Sequence, residues 1–211
     1  MESKSSQSQN LQSAHQHWRK GNAFLNEGKI EEGIAECRAA LRLDPNSVAA
    51  HHDLGFALSS KGQKKAALVE LRETVRLAPD LAHGHCTLGS VLSTLGHRDE
   101  AEAEVRRSLA LDPSDAEAHY LLGNVLADKK EIEAARAEYW EVLNLDPHHA
   151  RAYVAIGSSL VRQGYEDAAI EKYHQALRLD PNMLYAQRCL ARLYFWRGQI
   201  GLALRMWLKH G

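Results

Sequence analysis

The residues of this 211-residue chain best placed for chemistry are its 12 histidines, because imidazole ligates metals and carries protons near neutral pH. Four of them, His17, His51, His85 and His119, recur at intervals of 34 residues. If equivalent helices carry them, neighbouring axes stand about 8–10 Å apart, whereas each nitrogen on a shared zinc must lie about 2.0–2.1 Å from it. The column is too widely spaced to share an ion easily, and a packed structural role is expected of it. His15 with His17, and His83 with His85, stand two residues apart, which on a helix points them to different faces. Cys37, Cys86 and Cys189 are scattered and form no CxxC, a pattern that favours neither a disulfide framework nor a structural zinc. A reducing, cytoplasmic compartment is the expectation. Cys86 is a candidate reactive thiol, although a lone helical cysteine is more often inert. No Ser-His-Asp order, phosphate-cradling glycine loop or isolated carboxylate pair stands out. The expectation is no catalysis, no cofactor and no metal.

These residues sit in a chain that is 45% apolar and 25% charged, enough to bury a sizeable core. With 26 basic against 27 acidic residues, the overall charge favours neither nucleic acid nor an anionic membrane as partner. The opening "MESKSSQSQNLQS" has no apolar run of the signal-peptide kind, and no later stretch is long enough to span a bilayer. Residues 1–13 read as a disordered polar tail.

The elements that position the rest follow from one spacing. All 5 prolines, Pro45, Pro79, Pro113, Pro147 and Pro181, lie 34 residues apart. A fixed period of this size marks a solenoid whose units bury their apolar faces against each other. The units run 14–47, 48–81, 82–115, 116–149, 150–183 and 184–211. Their eighth positions are Gly21, Gly55, Gly89, Gly123, Gly157 and Ala191, and their twentieth are Gly33, Ala67, Ala101, Ala135, Ala169 and Ala203. Glycine within a helix costs about 1 kcal/mol relative to alanine, so its recurrence predicts close helix crossings. Gly28, Gly62, Gly96, Gly164 and Gly198 mark helix ends with a left-handed residue, and Lys130 stands at the corresponding place in the fourth unit. Each proline then closes a second helix, and Asn46, Asp80, Ser114 and Asn182 after it suit the next N-cap.

The stretch "AEAHYLLGNVLADKKEIEAARAEYWEVLNLDP" at 116–147 resembles the tetratricopeptide repeat, with its large residue, Leu-Gly, bulky residue, Ala, aromatic and final Pro. The resemblance covers 14–211 in a single register. It implies an all-α, right-handed superhelical solenoid whose first helices line a concave, protein-binding groove. By the family pattern, the second, fifth, ninth, twelfth and thirteenth positions of each unit face that groove. At the N-terminal end these include Trp18, Asn22 and Phe56; the middle offers Tyr120 and Asn124. At the C-terminal end Arg151, Arg162, Arg188 and Arg192 gather beside Tyr185, Phe195 and Trp196. Arginine pairs bidentately with carboxylates and aromatics anchor interfaces, so this end suits an acidic segment carrying an apolar residue. The plainer alternative leaves the arginines solvated or paired with Asp167 or Glu171.

Two family-specific ligands do not fit. A chaperone-tail carboxylate clamp would occupy Trp18, Asn22, Asp53, His83 and Thr87, of which only Asn22 matches. The asparagine ladder of sugar-transferase arrays would occupy Arg19, Asp53, Thr87, Leu121, Ala155 and Cys189, and none is asparagine. Near the end of the chain, Leu204, Trp207 and Leu208 with Phe195 and Trp196 offer either a site for self-association or docking, or an end that frays or marks a fragment. The reading is a non-enzymatic adaptor or assembly scaffold that binds a protein or peptide segment, without nucleic acid or membrane insertion. The alternatives are a regulatory or substrate-recruiting subunit of a separate enzyme and, more weakly, a metal or redox sensor built on the histidines and Cys86.

Overall fold

The helix boundaries repeat as the prolines do. The computed structural model describes the backbone of residues 2–208 and the side chains of residues 6–205. Among these residues lie twelve α-helices: α1 (Glu2–Asn26), α2 (Ile30–Leu43), α3 (Val48–Ser60), α4 (Lys64–Leu77), α5 (Ala82–Thr94), α6 (Arg98–Leu111), α7 (Ala116–Asp128), α8 (Ile132–Leu145), α9 (Ala150–Arg162), α10 (Glu166–Leu179), α11 (Leu184–Trp196) and α12 (Ile200–Leu208). Consecutive helices pair as hairpins, and the chain divides after Pro113 into two compact units. The first holds α1–α6 and the second α7–α12. Helix α1 begins at Glu2, so residues 2–13, expected as a disordered tail, are helical in the structure. Residues 6–12 are all exposed, which accounts for their polar composition.

Each hairpin turns through a left-handed residue. Gly28, Gly62, Gly96, Gly164 and Gly198 have φ between 71° and 84°, and Lys130 has φ 68°. The bonding around Lys130 is that of its glycine counterparts: Lys130 N–H donates to Ala127 O at 3.1 Å and Glu131 N–H to Leu126 O at 2.9 Å, as Gly164 and Tyr165 do to Val161 and Leu160. Lysine in this conformation is strained by about 1–2 kcal/mol. Lys130→Gly is therefore expected to stabilise the protein by about 1 kcal/mol and raise the melting temperature by roughly 2–4 °C, read by circular dichroism. An unchanged or lower value would contradict this.

The N-caps fall one residue later than expected. They are Ser47, Leu81, Asp115, His149 and Met183, and only Asp115 and His149 cap with their side chains. The chain uses one more residue to clear the proline, and Asp44, Asp146 and Asp180 organise that turn by accepting from the N–H of Asn46, His148 and Asn182.

Within the hairpins the eighth-position glycines face the partner helix. A Cβ on Gly55 would lie 2.7 Å from Leu71 Cγ, and one on Gly89 would lie 3.2 Å from the carbonyl oxygen of Ala101. The opposed Ala67, Ala101, Ala135 and Ala169 are fully buried. Leu54, Leu58, Leu71, Leu88 and Leu92 form the core of the first unit; Leu122, Leu126, Ile156, Tyr173 and Leu190 form that of the second.

The histidine column ties this packing together. Nδ1 of His17, His51, His85 and His119 sits 2.6–2.7 Å from a carboxylate oxygen of Glu36, Glu70, Glu104 and Glu138, each on the second helix of the same hairpin. Nε2 of His51 and His85 donates to the carbonyls of Pro45 and Pro79 at 3.0 Å, and so reaches the preceding hairpin. In the second unit, Tyr153 Oη and Gln187 Nε2 make the same bond to Pro147 and Pro181 at 3.3 and 2.8 Å. His85→Ala removes both contacts and should cost about 1 kcal/mol, whereas His85→Gln keeps the proline bond as Gln187 does. Urea melts of the two variants test this; an alanine variant as stable as the glutamine one would show that the rung contributes nothing.

Candidate partner-binding groove

The second unit contains a groove of about 430 Å³ along α7 and α9. Its floor is built by a tyrosine from the second helix of the hairpin. With no side chain on Gly123 to block it, the Tyr139 ring passes that backbone and donates its hydroxyl to Asn124 Oδ1 at 3.0 Å. One repeat on, Tyr173 lies against Gly157 and its Oη is 3.1 Å from Ser158 Oγ. Burial pushes both phenols up, so they stay protonated. With its carbonyl oxygen engaged by Tyr139, Asn124 keeps its amide hydrogens for the groove.

One wall carries Arg151, whose guanidinium lies 4.4 Å from the centre of the Tyr120 ring. Its Nη2 donates to Glu117 Oε1 at 3.2 Å. Partial burial disfavours the charged Arg151, but hydrogen bonds from it to Tyr120 and Glu117 prevail and raise its pKa further. His149 completes the cluster. Its Nδ1 accepts from the Ala152 N–H at 3.1 Å, so the ring hydrogen sits on Nε2, 3.8 Å from Glu117 Oε2. Arg162 lines the groove three turns further along α9. Among the described residues no carboxylate lies within ion-pair distance of Arg162, Arg188 or Arg192.

The structure thus gathers Tyr120, Asn124, Arg151, Arg162 and Tyr185 into one groove. Arg188, Arg192, Phe195 and Trp196 are exposed on α11 but do not line it; Phe195 and Trp196 are 55% and 77% exposed. Of the two acidic side chains expected as alternative partners of groove arginines, Asp167 accepts from Arg197 at 2.6 Å, beside Glu166 at 3.0 Å, and Glu171 accepts from Gln175 Nε2 at 3.4 Å. Trp18, Asn22 and Phe56 belong to the first unit. There Trp18 Nε1 and Asn22 Nδ2 both donate to Asp53 Oδ2, at 2.8 and 3.0 Å, and His52 Nδ1 lies 3.2 Å from Oδ1. Burial works to raise the Asp53 carboxyl, yet these bonds outweigh it and hold it below the usual carboxylate range. Their polar atoms already have an internal acceptor, while Phe56 is 54% exposed.

Sequence reasoning missed Tyr139 and Asp53. Tyr139 could have been found by asking what faces Gly123 from the second helix; Asp53 needs a contact between adjacent hairpins. All three cysteines are buried, Cys86 included, and burial pushes the Cys37 thiol up to about 12. Among the described residues, no group of three or more His, Cys, Asp and Glu side chains could hold a metal, and no helix is long and apolar enough to cross a membrane. Leu184, Ile200, Leu202 and Leu204 are exposed on the same hairpin as Phe195 and Trp196. The side chains of Trp207 and Leu208, expected to join them, lie outside the described residues.

Tetratricopeptide-repeat family models match residues 21–62, 86–150 and 150–183. A search of curated proteins returned no match. Among solved structures, MamA is 25% identical, with a TM-score of 0.71 over 80% of this chain and 92% of that one. The protein pilF of Pseudomonas aeruginosa, 18% identical, superposes with a TM-score of 0.81 over 93% of this chain and 90% of its own. YrrB, described as a TPR protein with an unusual peptide-binding site, is 24% identical and superposes at 0.67 over 81% of this chain and 88% of its own.

Proposed function

The chain belongs to the tetratricopeptide-repeat family, and on that premise we propose that it is a non-enzymatic adaptor holding an acidic segment of a partner protein in the groove along α7 and α9. One observation carries the reading: Arg151 and Arg162 flank an apolar stretch of Val154 and Ala155, and Arg162 has no carboxylate partner among the described residues. A cation left unpaired beside an apolar wall is suited to a ligand that brings a carboxylate and an apolar anchor together. Arg188 and Arg192, also unpaired and exposed on α11, extend the positive field toward which such a segment is drawn. The three buried cysteines, none of them in a disulfide among the described residues, support a reducing, cytoplasmic setting.

The test is an affinity capture from the source cell's lysate, comparing the wild type with a variant carrying Arg151→Ala, Arg162→Ala, Arg188→Ala and Arg192→Ala. A partner should be captured by the wild type, and at least about tenfold less by the variant, with a weaker salt dependence. Equal capture would place binding elsewhere.

A second contact is favoured by the exposed Leu184, Phe195, Trp196, Ile200 and Leu204 of the last hairpin. Apolar exposure repeated along one hairpin is of the kind that marks association sites, and we read it as a self-association face. A molar mass by light scattering that stays monomeric at every concentration would remove it.

A further inference from the structure

The groove also constrains the pattern its ligand must carry; this rests on the acidic-segment reading above. Arg151 and Arg162 are eleven residues apart on α9. At 1.5 Å per residue and 3.6 residues per turn, they lie on nearly the same face, about 16 Å apart along the axis. Between them Val154, Ala155 and Ser158 line the groove. An extended segment can bridge the two guanidinium groups with few residues. It advances about 3.4 Å per residue and points alternate side chains to the same side. Residues four apart are thus about 13–14 Å apart on one face, and the length of the carboxylate and guanidinium side chains closes the remaining few ångströms. The residue midway between them faces the apolar stretch.

The first carboxylate seat already has an occupant of the right chemistry. Glu117 places its carboxylate on Arg151 at 3.2 Å, with His149 Nε2 at 3.8 Å, and the Tyr120 ring holds the guanidinium from below at 4.4 Å. Glu117 and Arg151 are 62% and 55% exposed, so their pair is weak and exchanges readily with an incoming carboxylate. The cluster has the shape of a carboxylate seat with the protein's own glutamate as its placeholder, and Arg162 is a second seat without one.

We infer that the groove selects an extended segment with acidic residues at its first and fifth positions and an apolar residue at its third, the first carboxylate displacing Glu117 from Arg151 and the second pairing with Arg162. The test uses the full chain and two fluorescein-labelled peptides of one composition, Glu-Ser-Leu-Ser-Glu and Ser-Glu-Leu-Glu-Ser, each flanked by Gly-Ser linkers. In the second peptide the carboxylates lie on the face opposite the leucine. Fluorescence anisotropy should show the first binding about tenfold tighter, the gain of one charge-assisted contact properly placed. Arg162→Ala should bring it down to the level of the isomer, and Glu117→Gln should tighten the first peptide several-fold while leaving the isomer unchanged. Equal affinity for the two isomers overturns the pattern and leaves the acidic-segment reading standing. An unchanged affinity in Glu117→Gln overturns the placeholder role, and binding of neither peptide overturns pattern and reading together.

Discussion

Replacing Tyr173 with alanine is expected to cost about 3–5 kcal/mol, as for other large aromatic truncations in a core. The ring is 1% exposed and belongs to one core cluster with Val154, Ala169, Ala176, Ala186, Leu190 and Leu193, so its removal opens a cavity in the core that α9, α10 and α11 build. None of these neighbours is long enough to fill it without leaving a gap of its own. At roughly 2–4 °C per kcal/mol for a chain of this size, the melting temperature should fall by on the order of 10 °C. Tyr173→Phe separates the two contributions. It keeps the packed ring and loses the hydroxyl's bonds with Ser158 and Cys189, at about 1 kcal/mol. A thermal melt in which the alanine variant behaves like the phenylalanine variant would show that the ring is not a core element.

Gly123→Ala should be the next most damaging change. The added Cβ would fall 2.7 Å from Tyr139 Cδ1 and 3.0 Å from Cζ, and closer still to Cε1. Overpacking of this kind costs about 1–3 kcal/mol, and displacing the ring also breaks the hydroxyl bond to Asn124, worth about another 1 kcal/mol. Helix propensity returns about 1 kcal/mol for glycine to alanine. The net expectation is a loss of about 2 kcal/mol and a melting temperature roughly 4–8 °C lower. Combining Gly123→Ala with Tyr139→Leu removes the clashing ring and should recover part of the loss. If Gly123→Ala alone melts at or above the wild type, the ring yields freely and the helix crossing is looser than its geometry suggests.

The frame of this fold was legible before the structure because its signals are local. A proline ends a helix wherever it stands, and a glycine at a left-handed turn needs nothing from distant residues. Lys130 shows the rule from the other side, since it takes the glycine conformation at φ 68° despite its side chain. The groove was legible in part. Arg151, Arg162, Tyr120, Asn124 and Tyr185 lie on first helices whose facing positions follow a fixed pattern, and they do meet in one place. Side-chain pairing was not legible. Sequence spacing brought Trp18 and Asn22 to a surface, but only the packing of α1 on α3 shows that both donate to Asp53. Nor does periodicity tell which of several nearby arginines will take Asp167; the structure gives it to Arg197 rather than to one on the groove. The N-caps after Pro45 and Pro181 missed by one residue for a similar reason, because Asp44 and Asp180 claim the first free backbone N–H.

His51 and His85 each hold a carboxylate of their own hairpin with one nitrogen and the terminal turn of the hairpin before with the other. A ring used this way is a check on its neighbour's folding: its second bond exists only once the preceding helix has stopped at its proline. In the language of one-dimensional arrays, these rungs add to the coupling between units rather than to the stability of any one of them. Stronger coupling lengthens the stretch that must open together. The first three hairpins are built to melt as a block, sparing the array the half-open states in which a single unfolded unit would expose the apolar faces on either side of it.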